Sequence, residues 1–241
     1  MKLAGVDLAW QSENKPSGIC FGELSGQVIE VTDIYAAAYG IQGVLSKIIE
    51  NSDVQGVAID APLIINNESG QRPCETEIGK MYGARGASCH TSNKILYPKA
   101  KSVDLSVSLE KEGFLHLEGT KWQIECYPHP AIIEIFGLDY RLLYKKGKVA
   151  DRKIGQKRLA NLIKGLSDSR VLSLQFGNIE IPNLNDDYID SLKGLELKSN
   201  EDALDSMLCL YIAGLHQLGV KSTVFGEVDT GYIWVPQQRC I

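Results

Sequence analysis

Five runs at the start of the chain decide the fold: LAGVDLAW at 3–10, SGICFGEL at 17–24, QVIEVTDIY at 27–35, IQGVLSKIIEN at 41–51 and VQGVAIDAPL at 54–63. The first is apolar apart from Asp7 and reads as a buried strand. The second and third are β-rich and meet at Ser25-Gly26, a hairpin signal. Together the three predict an antiparallel meander. In the fourth run, apolar residues at 41, 44, 45, 48 and 49 form a helical stripe. The fifth is a second buried strand, stopped by Pro62. A strand reached across a helix is expected to run parallel to its partner.

Outward from this start, residues 66–119 hold RPCETEIGKMYGARGASCHTSN, a polar Lys-rich segment and a helix near 101–111. They read as an elaboration, about 64–120, inserted into one domain spanning 1–241. A strand at 122–127 ends at Pro128-His129-Pro130, and a short helix covers 131–136. A basic run at 141–158 follows, with eight Lys or Arg and one Asp. Beyond it come a helix to about 166, a weaker helix-rich stretch, a strongly apolar helix at 200–218, and closing strands at 222–225 and 231–235. The order β-β-β-α-β, insertion, β-α predicts an α/β fold whose mixed sheet is flanked by helices. This is the strand plan of the ribonuclease H-like superfold.

The whole-chain composition narrows the function classes. With 241 residues, 44% hydrophobic and 23% charged, the chain is neither disordered, collagenous nor a coiled coil. Its net charge of −5 counts against a protein that coats nucleic acid through its global field, and leaves room for one local basic patch. Six cysteines include no CxxC pair, which points to reduced thiols in the cytoplasm. Asp7 sits where a signal peptide needs an apolar run, and no apolar stretch is long enough for a membrane span.

The chemistry is carried by acids in apolar surroundings: Asp7 in GVDLAW, Asp60 in GVAIDAPL, Glu125 in WQIECYPHP, and Asp202 with Asp205 in NEDALDSMLCLYIA. Each has a plain reading. Asp202 completes a capping box with Ser199, Asp60 ends a strand at a turn, Asp7 bonds a β bend, or Glu125 pairs with a nearby Arg. One cause accounts for all of them at once. A divalent cation makes the ionised form of a buried carboxylate favourable. Mg²⁺ or Mn²⁺ takes oxygen ligands and keeps several waters, so three or four carboxylates suffice. Asp7 and Asp60 on neighbouring strands, with Asp202 and Asp205 three apart on one helix, form such a set.

Other constellations are weaker. Cys74, Cys89, His90, Cys126 and His129 match no zinc spacing, and Cys126 with His129 or His90 is only a composition-level nucleophile pair. Gly79, Gly83 and Gly86 form no nucleotide loop. The basic run is either a solvated helix face or a phosphate-binding patch. Arg72 and Arg85 bind phosphate in the same way or clamp a carboxylate. His129, between prolines, is structural or faces substrate.

The runs GVDLAW, IDAPL, RPCE, GASCH, ECYPHPA, EDALDSMLCLYIA and GYIWVP, in this order, resemble the domain-of-unknown-function family numbered 429 over nearly the whole chain. That resemblance implies a ribonuclease H-like fold and a predicted nuclease. It also implies site acids at Asp7, Asp60, Glu125 with His129, Asp202 and Asp205, and places Arg72 and Glu75 in an R-x-C-acid motif. Relatives often carry a second Arg shortly after that acid, where this chain offers only Lys80.

The expectation is therefore a Mg²⁺- or Mn²⁺-dependent nuclease. Asp7, Asp60 and Asp205 hold metal, Asp202 or Glu125 completes the site, and Lys145, Lys146, Arg152 and Lys153 hold the backbone of nucleic acid. One alternative is a non-catalytic nucleic-acid-binding or regulatory domain of the same fold. A sugar-kinase or actin-like phosphotransferase is a further alternative, although Leu8-Ala9-Trp10 after Asp7 lacks the glycine such a phosphate loop needs.

Overall fold

The computed structural model describes residues 1–11, 15–51, 53–177 and 179–241. Strand β1 (Lys2–Asp7) pairs antiparallel with β2 (Pro16–Ser25), and β2 pairs antiparallel with β3 (Val28–Tyr39). The turn between β2 and β3 passes through Gly26 at φ +56°, a left-handed conformation that glycine adopts without Cβ strain. Helix α1 (Gly40–Glu50) buries Ile41, Val44 and Ile48 and leads into β4 (Val54–Asp60), parallel to β1. The meander and the parallel return are those the sequence predicts.

The chain continues through α2 (Pro73–Tyr82), α3 (Lys101–Lys111), β5 (Phe114–His116), β6 (Lys121–Glu125), α4 (Pro128–Phe136), α5 (Val149–Gly165), β7 (Ser173–Gln175), α6 (Asp186–Ser191), α7 (Gly194–Gln217), β8 (Ser222–Glu227) and β9 (Gly231–Pro236). Among the described residues one sheet has the order β5-β6-β4-β1-β2-β3-β7, and β8 and β9 form a separate antiparallel pair. The central order β3-β2-β1-β4-β6, antiparallel through the first three strands and parallel after them, is the ribonuclease H-like plan. The edge strands β5 and β7 add to it. Each has three residues, too short to show a period of two in sequence.

Alternation along the strands divides the core. Leu3, Ala58 and Ile124 face a layer built from α4, α5 and α7, whereas Ala4, Val6, Val57 and Ile59 face α1 and α3. A third cluster joins α2 to β8 and β9 through Cys74, Ile78, Phe225, Ile233 and Val235. No described helix is long and apolar enough to cross a membrane.

Helix α7 lies directly on the sheet, with its middle buried from Asn200 to Leu215. Two glycines make that approach possible. A Cβ on Gly5 would come within 2.0 Å of the Leu210 nitrogen, and one on Gly18 within 2.2 Å of the Asp202 carbonyl oxygen. Only a residue without a side chain lets the α7 backbone settle over β1 and β2. The capping-box reading of Asp202 is corrected here. Helix α7 starts at Gly194, so Ser199 and Asp202 lie inside it, and Asp202 bonds a lysine instead of capping a terminus.

Candidate active site

Asp7 is the last residue of β1 and Asp60 the last of β4, and the two are register partners on adjacent parallel strands. Parallel neighbours lie about 4.8 Å apart, so the strand ends bring two carboxyl groups together. Both belong to the parity that faces α7. From α7, Asp202 and Asp205 descend onto the same strand ends, separated by nearly one turn. Asp202 is 3% exposed and Asp205 fully buried.

Two lysines stand among these acids. Lys145 Nζ is 2.8 Å from Asp205 Oδ2 and 3.6 Å from Asp60 Oδ2. Those two carboxylate oxygens are thus no further apart than the sum of the two distances. Lys198 Nζ reaches Asp202 Oδ1 at 2.5 Å and Glu201 Oε1 at 2.8 Å. Tyr144 donates its hydroxyl to Asp205 Oδ1 at 2.6 Å. Asp202 Oδ2 and Asp205 Oδ2 are buried; Lys145 Nζ answers the latter at 2.8 Å, and Asp202 shares a side-chain hydrogen bond with Asp7.

Charge and burial bear on these groups in opposite directions. Burial pushes the Asp7 carboxyl above its ordinary value, partly offset by Lys145. Burial raises Asp60 to about 8 against the pull of Lys145, with Asp7 and Asp205 adding to the rise. Burial, then repulsion from Asp7, lifts Asp202 to about 8. Burial alone would pull Lys145 down, but Asp205, Tyr144, Asp60 and Asp7 hold it well above the usual lysine range. Such shifts, from desolvation plus named charge partners inside a cavity, mark functional sites. Among the described residues no set of three or more His, Cys, Asp or Glu already stands as a metal cage.

Glu125 does not join the acids. It is the register partner of Ile59, which faces α1 and α3, so strand parity turns it away from α7. It accepts from Arg72 Nη2 at 2.6 Å, from Arg72 Nη1 at 2.9 Å and from the Leu63 N–H at 2.8 Å. This is the pairing with an arginine that the sequence left open. The next residue, Cys126, takes the place beside Asp60, its N–H bonding the Ile59 carbonyl and its Sγ lying 3.6 Å from Cys209 Sγ. Arg72 also donates to Glu75 Oε1 and to the Ile64 carbonyl, and its guanidinium is 2% exposed.

The remaining expected residues separate. Lys145 belongs to the acid cluster itself. Lys146 and His129 line the cavity that holds Asp7 and Asp60. The His129 ring lies edge-on between Tyr127 and Tyr144, and burial lowers its pKa to about 3, so it is neutral at pH 7. Arg85 pairs with Glu134 at 2.8 Å and with the Leu138 carbonyl, away from the acids. Arg152 meets Glu201 at 3.4 Å, and Lys153 donates to the Asp190 carbonyl. Tyr144, Lys198 and Trp10 are additions to the sequence-derived set, and Arg141 enters it by name from the basic run that it opens. Lys198 left a trace at i−4 from Asp202.

The profile of the family described as "Protein of unknown function (DUF429)" matches residues 5–230, and so includes every acid of the cluster. The chain belongs to the DUF429 family. Within this DUF429 chain the matched span runs from the first strand to the turn before β9. No curated protein matches it. A solved structure titled "Thermus thermophilus RuvC structure" aligns over 96% of this chain and 99% of that chain, at 12% identity and a TM-score of 0.40.

Proposed function

We propose that this DUF429 chain is a nuclease that hydrolyses phosphodiesters with Mg²⁺ or Mn²⁺ held by Asp7, Asp60, Asp205 and Asp202. One observation carries the reading: four carboxyl groups from three elements distant in sequence cluster around Lys145 and Lys198, two of them, Asp7 and Asp60, lining one cavity. Evolving four desolvated acids side by side without a use is costly. The donor set fits the ion, since it is all oxygen and Mg²⁺ and Mn²⁺ are oxygen-seeking. Bound there, the ions would lower the pKa of a water and neutralise charge on the phosphate.

The chain's own residues prepare that chemistry. Tyr144 fixes the orientation of Asp205. Lys145 supplies positive charge between Asp205 and Asp60, where it would compete with a divalent ion. Neutral His129 offers a ring nitrogen at the cavity wall, and Lys146 lies within reach of an incoming phosphate. Nucleic acid is the proposed partner. The cytoplasm is the proposed location, because a reducing compartment suits its six free cysteines.

A second reading is favoured by Lys145 and Lys198 themselves, which already neutralise part of the acid charge: a non-catalytic domain of the same fold. Following the melting temperature while titrating Mn²⁺ separates the two. Binding to the folded state alone raises the midpoint by mass action, and Asp7→Asn removes that rise. A flat titration of the native chain would leave the non-catalytic reading standing.

A further inference from the structure

The cavity limits what can reach the acids. It is about 290 Å³, near the lower end of the roughly 300–1,000 Å³ found for small-molecule pockets. Of the four acids Asp7 and Asp60 line it, Asp202 and Asp205 are buried, and the Asp60 side chain is only 17% exposed. A scissile phosphate must therefore enter the protein. A duplex, stiff over about 150 base pairs, carries its phosphates on a convex surface that does not fold into such a space.

Much of the basic run is also turned to other partners, with Lys148 and Arg158 left exposed. Lys145 is drawn inward onto Asp205, Arg152 and Lys157 are paired with Glu201 and Asp190, and Lys153 bonds a carbonyl. Positive groups remain at the cavity wall itself, in Arg141 and Lys146. Arg141 Nε and His129 Nδ1 are both shielded from solvent with no hydrogen-bond partner, and both residues line this cavity. The Arg141 guanidinium, a fixed fork of donors, suits phosphate oxygens, and His129 does so as the tautomer that presents an N–H to them. Apolar surface completes the mouth. Trp10 is half-buried, with its ring 4.5 Å from that of Tyr97, and Leu143 is 60% exposed.

We propose that the phosphodiester taken at this site belongs to an unpaired nucleotide, whose base lies against Trp10 and whose phosphate oxygens meet Arg141, His129 and Lys146. This rests on the nuclease reading above. The unpaired nucleotide comes from a single-strand end or a free dinucleotide. Base–aromatic stacking is tolerant of sequence, so the site reads the absence of pairing and not the base.

The test uses the full chain with Mn²⁺ and three probes: a thymidine dinucleotide, an oligothymidine of about 20 residues, and a blunt duplex of the same length with no unpaired end. Cleavage of the single strand is expected to exceed that of the duplex by about 100-fold or more, because unpairing must precede entry. Cleavage of the dinucleotide as well identifies free dinucleotides as a source, and cleavage of the strand alone identifies strand ends. Trp10→Leu should raise KM about 10-fold with kcat kept within about 2-fold, the signature of lost uniform binding. Arg141→Gln should raise KM in the same way, while the Mn²⁺-dependent melting shift of both variants matches the native chain. Equal rates on duplex and single strand overturn this proposal and leave the nuclease reading intact, and an unchanged KM in Trp10→Leu overturns the base placement. If no probe is hydrolysed, the nuclease reading fails. The anisotropy of labelled single strand and duplex in Ca²⁺ then judges the preference alone, and equal affinity sinks it.

Discussion

Two charged clusters share one cavity and are built on opposite terms. Around Arg72, both oxygens of Glu75 and both of Glu125 meet donors: the guanidinium, the backbone N–H of Arg72 and Ser92, and that of Leu63. All three residues are at least 97% buried. Around Lys145, burial is as deep for Asp202 and Asp205, yet the acids face one another: Asp7 and Asp205 push Asp60 up, Asp7 pushes Asp202 up, and Asp60 and Asp202 hold their protons up to about 8. A fully answered buried ion network holds segments together. One in which like charges face one another is poised for something that arrives from outside. Arg72 ties the loop at Ile64 and the start of α2 to the end of β6, and so shapes the wall opposite the acids.

The sharpest way to break that comparison is to remove the centre of the answered cluster. Arg72→Met strands two buried carboxylates and is expected to destabilise the fold by about 3–5 kcal/mol in urea unfolding. Asp7→Asn is expected to do the reverse. Mn²⁺-dependent hydrolysis falls by about 100-fold or more, near 2.7 kcal/mol of barrier, while stability stays within about 1 kcal/mol of the native chain. If Asp7→Asn unfolds as readily as Arg72→Met, the two clusters are alike and the contrast is lost.

Smaller effects sharpen the picture. Lys145→Met removes the ammonium that competes for Asp205 and Asp60, so calorimetry should find Mn²⁺ bound about 10-fold more tightly, near 1.4 kcal/mol. Looser binding would make Lys145 a partner of the ion and not its rival. The pH dependence has a definite sign. Folded Asp60 and Asp202 have pKa values of about 8, against about 3.9 in the unfolded chain. Between these values the folded state holds the extra protons, so rising pH favours unfolding. His129, lowered to about 3, acts oppositely only up to its unfolded value of about 6.5. In EDTA the melting temperature should therefore fall from about pH 6.5 to 8, and saturating Mn²⁺ should flatten the fall. The smallest change is expected from Arg152→Ala, because its contact with Glu201 is long, 3.4 Å, and Lys198 still meets Glu201 Oε1 at 2.8 Å. Single-strand affinity should then stay within about 2-fold of native.

Much of this was legible before coordinates. The hairpin signal at Ser25-Gly26, the helical stripe at 41–49 and the apolar run ending in Asp60 are local patterns, and local patterns survive into the fold. Asp7 and Asp60 could be paired because strand order alone makes their strands neighbours. Glu125 could not be placed, because its face depends on a register with β4 that no short motif states. The start of α7 was also hidden. Gly194 opens a helix whose first turns lack a strong apolar stripe, and tertiary cover over β1 and β2 decides it.

The sequence by itself determined the strand plan and the kinds of groups available, since hydrophobic period and residue chemistry are properties of neighbours along the chain. Tertiary structure alone decided that Lys145 goes inward to the aspartates while Arg152 and Lys153 go elsewhere, and that Cys126 and not Glu125 stands beside Asp60. The reason is that charge pairing inside a protein is settled by distance and parity across elements, and neither quantity is written in a run of basic or acidic letters.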